Sequence, residues 1–300
     1  YPLLTEKGAW RVESSHDKAC KELAKTDPSY TIDEQHYHDR DGQKMYGGFF
    51  TQEEIKEIIA YAADRQIEVI PEIDMPGHIY AALVAYPELN CDNFSNIKPQ
   101  YATKNILSEI AELFPSEYIH IGGDEVNIQS WKECPLCQKA IKDNNLKNEH
   151  ELQSFFNHDI EAFLKSKGKR MMGWDEIVEG GVSDQTTMMW WRNDIVMTPC
   201  FEYYFDAQHN VTPFEKVYQY EPIPEGFTEA QGKHILGVQA NLWSEMIPNF
   251  KRLQYMAFPR LLALAETGWS AKDAKNQEDF DKRMMLQYDR LDALDITYHI

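Results

Sequence analysis

Residues 118–126, YIHIGGDEV, run an apolar segment into two glycines and then two adjacent carboxylic acids, Asp124 and Glu125. Two side-by-side negative charges straight after a buried strand are electrostatically awkward unless something uses them. The glycines let backbone and a ligand approach closely. The acids then fall on a turn, with their side chains pointing in different directions. Read alone, the stretch fits an exposed turn, or a helix N-terminus that welcomes negative charge, equally well.

Other segments shift that balance. PEIDMPGH (71–78) supplies Glu72, Asp74 and His78, and GWDE (173–176) supplies Trp174, Asp175 and Glu176. MMWWR (188–192) carries Trp190 and Trp191, FEYYFD (201–206) carries Tyr203, Tyr204 and Asp206, and NLWSE (241–245) carries Trp243 and Glu245. Each falls where an apolar, strand-like run ends. Converging acids, one histidine and several aromatics describe a sugar site. Aromatic faces pack on the C–H faces of a pyranose while carboxylates accept hydrogen bonds from its hydroxyls. Any one of these tryptophans alone reads as core, and His78 alone as a satisfied buried histidine; the constellation carries the argument.

Glycoside hydrolysis needs an acid to protonate the leaving oxygen and something to stabilise or trap the oxocarbenium-like centre. Adjacent residues on one turn suit an acid-and-nucleophile pair flanking the bond poorly. They suit a division of labour in which one works on the leaving group and the other on a substituent of the same sugar. Glu, Asp and His at strand ends also describe a divalent-metal sugar isomerase or hydrolase. The reading adopted assigns no metal and no cofactor. Cys134 and Cys137 have the spacing of half a zinc site, but no second pair follows, so they read as a local pair near the surface.

These residues must be positioned by something, and the chain supplies alternating helical and strand-like runs. In TQEEIKEIIAYAADRQIEVIPEIDMPGH, Thr51 and Glu54 make a capping box. Ile55, Ile58, Ile59 and Ala62 fall on one helical face, and 67–73 reads as a buried strand. A helix ending near Phe114 leads into the strand 118–121. Another, with Leu152, Phe155, Phe156, Ile160 and Phe163 at helical spacing, stops at Gly168 before RMMGWDE. TTMMWW (186–191), DIVMTPC (194–200) and HILGVQANLWSE (234–245) read as further strands, and LQYMAFPRLLALAETGW as helical. Such alternation means an α/β fold, a mainly parallel sheet with helices outside it, whose active site lies at the C-terminal strand ends.

Two features strain that reading. The strands are two short of a closed eight-stranded barrel. In addition, only Arg192 and Asn193 separate TTMMWW from DIVMTPC, whereas parallel neighbours need about a dozen connecting residues. The two strands either form a hairpin or are joined across segments absent from the numbering, and the second is expected.

The chain has 300 residues and a formal charge of −19. Such acidity argues against a nucleic-acid partner, whose phosphates need Lys and Arg. No apolar run approaches the roughly 18 residues of a membrane span, and Tyr1 does not begin a signal peptide. Five cysteines in a domain this large make no disulfide framework.

YGGFFTQEEIKEIIAYAADRQIEVIPEIDMPGH, YIHIGGDEV, GWDEI and GVQANLWSE with YMAFPRLLALAETGWS resemble, in the same order, glycoside hydrolase family 20, the β-N-acetylhexosaminidases. The resemblance implies a (β/α)₈ TIM-barrel catalytic domain, here without its first two strands and one crossover helix. It implies one partial barrel domain over 1–300, with C-terminal helices at about 252–295 included. It also implies an exo-acting, retaining enzyme that removes terminal β-linked GlcNAc or GalNAc from glycans or chito-oligosaccharides. The substrate's 2-acetamido oxygen attacks its own anomeric carbon, giving an oxazolinium intermediate. Glu125 matches the general acid/base, with a pKa raised by Asp124 and partial burial. Asp124 matches the residue that orients the acetamido group, and Tyr204 the tyrosine that donates to its oxygen. Trp174, Trp191 and Trp243 match the pocket walls, Asp206 and Glu245 sugar-hydroxyl binders, and His78 the histidine near the acid. A periplasmic, secreted or lysosomal-like compartment goes with the resemblance. If the missing strands are truly absent, the alternative is a weak or inactive carbohydrate-binding remnant of the same fold.

Overall fold

The computed structural model of the chain describes residues 1–89, 99–190 and 197–300. They form two compact units, one of Tyr1–Arg11 with Gly47–Met189 and one of Val12–Tyr46 with Trp190–Ile300.

In the first unit, strands and helices alternate. Helix Gln52–Ala63 starts at Thr51, whose side chain accepts from the Glu54 amide while the Glu54 carboxylate accepts from the Thr51 amide. This is the capping box that the sequence implies. The following segment pairs in parallel with the next strand: the His120 amide donates to Pro71 O at 2.9 Å, Ile73 to His120 O at 2.9 Å and Met75 to Ile121 O at 2.8 Å. Helix Pro99–Leu113 leads into strand Tyr118–His120. Helix Glu149–Ser166 leads, past Gly168 at φ +74°, into strand Arg170–Trp174. That strand pairs in parallel on one side with Tyr118–His120 and on the other with Thr187–Met189.

Strand periodicity sorts the two faces. Ile119, Ile121 and Met171 pack with Leu107, Ile160 and Leu164 from the helices. His120, opposite Met172, points the other way. The run 67–73 departs from its expected form. Ile67 is 57 % exposed, and only the end of the run pairs. Among the described residues this strand has a partner on one edge alone, so its first half has no ladder to join.

In the second unit the strands contract to parallel bridges, Trp190 with Met197, Met197 with Val238, and Tyr204 with Asn241. The run 234–245 is therefore no continuous strand, and residues 194–196 of DIVMTPC lie outside the described residues. The Trp190–Met197 bridge is parallel, with the Thr198 amide donating to Trp190 O at 3.1 Å. The hairpin alternative fails.

Outside these bridges lie helices Phe250–Ala257, Arg260–Trp269 and Gln277–Ala293. The helical run 253–269 is two helices because Pro259 has no N–H to continue the first. Tyr203, Phe205, Val217, Ala263, Leu264, Phe280 and Met284 form the core beneath the bridges. Among the described residues no helix is long and apolar enough to cross a membrane.

Candidate active site

The strand Tyr118–His120 ends in Gly122 and Gly123, at φ +66° and +96°. A Cβ on Gly122 would overlap the Asp74 carboxyl, and one on Gly123 would overlap Ile177. The glycine pair thus gives a left-handed turn and lets the chain pass against its neighbours. After it, the side chain of Asp124 turns inward, 17 % exposed, while Glu125 at φ +49° turns outward, 64 % exposed. The partial burial expected of Glu125 is not found, because its left-handed backbone aims the side chain at solvent. His78 is also left-handed, at φ +47°. Its Nε2 lies 3.3 Å from Asp124 Oδ2 and 3.4 Å from Glu125 Oε2. One imidazole therefore touches both acids. Two non-glycine residues in this conformation cost about 1 kcal/mol or more each, and they stand at the point where three ionisable groups meet.

Beneath them, the Gly123 amide donates to Asp74 Oδ1 at 3.2 Å. Burial, then the neighbouring charge of Asp124, pushes the Asp74 carboxyl up to about 7. Asp124 is also raised, by burial first, while its hydrogen bond with Asp74 works against the rise. Two half-buried carboxyls in contact cannot both ionise cheaply. Asp74 is the one raised to about 7, so of the two it takes the proton first and favours Asp124 as the anion. Asp74, His78 and Asp124 each offer a ligand atom within 4.8 Å of the others, the only such metal-sized group among the described residues.

Trp174 ends strand Arg170–Trp174 and is buried, 3 % exposed. Its Nε1–H donates to Glu72 Oε1 at 2.9 Å, and His120 Nδ1 lies 3.1 Å from the same oxygen. Burial works to raise the Glu72 carboxyl, but the bonds from His120 and Trp174 outweigh it and hold it below its usual range. Asp175, the next residue, is 2 % exposed and belongs to the interior.

In the second unit the Tyr204–Asn241 bridge sets the register. The Phe205 amide donates to Asn241 O at 2.7 Å and the Asn241 amide to Tyr203 O at 2.9 Å. Tyr204 and Trp243 rings lie 6.5 Å apart at 57°. Asp206 is raised, by burial first and then by the Glu245 charge, while Arg260 and the Trp243 amide oppose the rise. Tyr204, Asp206, Trp243 and Glu245 are thus neighbours within this unit, as Asp124, Glu125 and His78 are within the first, where the Glu72 that meets Trp174 feels the His78 charge. Trp191 lies outside the described residues.

Sequence reasoning singled out neither the partnership of Asp74 with Asp124, nor that of Glu72 with His120, nor Arg260. Period-2 spacing could have flagged Glu72 and Asp74 as facing one side with His120. Arg260, wholly buried, donates to the carbonyls of Phe205 at 2.6 Å, Ala207 at 2.8 Å and Thr212 at 3.2 Å. It thereby braces the turn on which Asp206 sits. A lone arginine opening an apolar helix was the available signal. Cys134 caps helix Pro135–Asp143, its sulfur accepting from the Cys137 amide at 3.5 Å, so the pair begins a helix.

Parallel strands separated by helices, with acids and aromatics where the strands end, define an α/β carbohydrate-active domain. The family model for the catalytic domain of glycosyl hydrolase family 20 matches residues 1–272, and the chain belongs to that family. It is 39 % identical to a β-hexosaminidase of Porphyromonas gingivalis over 99 % of this chain and 42 % of that protein. It is 37 % identical to one of Vibrio furnissii over 90 % of this chain and 49 % of that protein. Among solved structures, the exo β-N-acetylglucosaminidase of Vibrio harveyi in complex with N-acetylglucosamine has a TM-score of 0.82 at 33 % identity. That similarity covers 100 % of this chain and 51 % of the other. The β-N-acetylhexosaminidase of Bacteroides fragilis gives 0.76 at 29 %, over 99 % and 62 %. The fold is the TIM-barrel α/β type of this family, present in part. The chain spans about half the length of the curated relatives it matches. The alignment to the P. gingivalis protein runs over 339 positions, more than the 300 residues of this chain. That relative therefore holds internal segments with no counterpart here.

Proposed function

We propose that the chain is the catalytic part of an exo-acting, retaining β-N-acetylhexosaminidase, acting on terminal β-linked GlcNAc or GalNAc of glycans or chito-oligosaccharides. The observation that carries this reading is the single imidazole of His78 in contact with both Asp124 and Glu125. Acids placed side by side on one turn do not flank a glycosidic bond as an ordinary acid and nucleophile do, and substrate-assisted hydrolysis is the known way round that requirement. The names of the similar proteins point to the same substrate class.

In this reading Glu125, on the solvent side of the turn, gives its proton to the glycosidic oxygen as the leaving group departs. The substrate's acetamido oxygen closes on the anomeric carbon. Asp124 accepts from the acetamido N–H and balances the positive charge that grows there. It suits this role because Asp74 takes the proton of the pair first. Glu125, now a base, then takes a proton from the water that opens the intermediate, so configuration is retained. His78 orients both acids. Trp174 walls the acetamido group, Tyr204 donates to its oxygen, and Asp206, Trp243 and Glu245 bind the sugar. For the last four residues, and for Trp191, support comes from the sequence motifs. Residues 1–300 act together as one catalytic barrel domain, C-terminal helices included.

Glu125→Gln is the direct test. Hydrolysis of an aryl β-GlcNAc whose leaving group needs protonation should fall by roughly 100-fold or more, with the thermal transition unchanged. Wild-type-like turnover in that variant would remove Glu125 from the mechanism. The metal-sized spacing of Asp74, His78 and Asp124 favours a second reading, a divalent-ion hydrolase or isomerase. Full activity after EDTA treatment would discard it.

A further inference from the structure

Glu72, His120 and Trp174 come from three successive parallel strands. Glu72 bridges His120, His120 pairs with Met172, and Trp174 lies two residues beyond Met172 on the same face. This register brings the three side chains together. Glu72 Oε1 is 2.9 Å from the indole Nε1 and 3.1 Å from His120 Nδ1, and the His120 ring meets the Trp174 ring edge-on at 4.9 Å. His120 is 3 % exposed and its Nε2 is buried without a partner. Its Nδ1 sits between two neighbours, the Gly122 amide, which donates to it at 3.1 Å, and Glu72 Oε1.

The carboxylate thus packs beside one ring and accepts from the other. An indole has one polar atom, and a flat wall rotates about its χ angles unless that atom is tied. We infer that Glu72, packed beside His120, is a positioning residue that ties Trp174 through its Nε1–H and so sets the width of the slot for the substrate's N-acyl group. The inference rests on the role given to Trp174 under the proposed function.

Glu72→Leu removes the acceptor with little change in volume. Glu72→Gln keeps an oxygen that accepts from the indole. Two aryl glycosides, carrying N-acetyl and N-propionyl groups, read the slot as a ratio of kcat/KM. With the wall released, Glu72→Leu should narrow the acetyl-over-propionyl preference by ~10-fold or more, the low end for a hydrogen bond to a charged group. Glu72→Gln should restore most of it. A purely structural role would lower both substrates alike and leave the ratio where it was, which overturns the inference. So would a Gln variant that loses as much as Leu. Should the Leu variant not fold, Trp174→Phe deletes the same bond from the other side and should narrow the ratio as well; an unchanged ratio there overturns the inference.

A readout without substrate accompanies these. In ¹⁵N spectra the Trp174 indole proton, assigned by its absence in Trp174→Phe, should exchange slowly in the wild type and in Glu72→Gln. Fast exchange in the wild type overturns the tie. A wild-type chain with no activity on the N-acetyl glycoside would sink the proposed function instead, and the indole signal would still decide whether Glu72 holds Trp174.

Discussion

At the residue scale, the adjacency of Asp124 and Glu125 is resolved by opposite exposure, 17 % against 64 %. One acid is shielded and shares a proton with Asp74; the other reaches out and meets its partner only through His78. Asp124→Asn should therefore slow cleavage of N-acetyl substrates by roughly 100-fold, the scale of losing one transition-state electrostatic partner. An aryl glycoside without the acetamido group should be affected far less. Equal losses on both would mean that Asp124 does not act on the acyl arm. Much of this was legible in the sequence: YIHIGGDEV, PEIDMPGH and GWDE each place their acids where a strand ends. The outward turn of Glu125 was not legible, because it depends on a left-handed φ that non-glycine sequence does not announce. Nor was the proton on Asp74, because burial and a neighbouring anion decide it.

At the scale of elements, the helices were read well and the strands less so. Thr51 with Glu54, and Gly168 after the long helix, are local signals, and each marks the expected boundary. Strands depend on neighbours drawn from anywhere in the chain. The runs 67–73 and 234–245 shrink to short pairings for that reason. Two elements carry the site most directly. Gly122→Ala puts a Cβ onto the Asp74 carboxyl at a left-handed position. It should cost about 2 kcal/mol or more, seen as a lower denaturant midpoint with activity lost alongside. Arg260→Leu strips donors from three carbonyls of the turn around Asp206. Each buried acceptor left unmet costs about 1–3 kcal/mol, so chemical denaturation should show a loss of several. A change below about 0.5 kcal/mol would mean the turn stands without it.

Across the whole molecule, a half-buried and a buried group set opposing pH dependences. Asp74 is held near 7 against an ordinary 3.8. Its contribution to stability is complete below about pH 4 and is lost as pH rises through 7. His209 is pushed down to about 4 from 6.5, by burial first and then by Arg260, with His299 and Arg252 adding to the effect while its bond to Tyr255 O resists it. Its contribution is complete above about 6.5 and is lost as pH falls toward 4. Between those limits the two slopes offset each other. Asp74→Asn should therefore make stability climb more steeply from pH 4.5 to 7, and His209→Gln should tilt it the other way. Melting temperatures across that range, in wild type and both variants, would show it; parallel curves for all three would refute both assignments.

The left-handed backbone at His78 and Glu125 has one more consequence. At such positions glycine is the relaxed choice, and asparagine the next. A blind selection for heat resistance, ignorant of any substrate, should enrich glycine or asparagine at 78 and 125, each raising the melting temperature by a degree or more. The most heat-tolerant survivors would be the least able to cut a sugar. Durability and usefulness compete here at single positions, and a ranked table of thermally improved variants would point to the acid without a glycoside ever being tried.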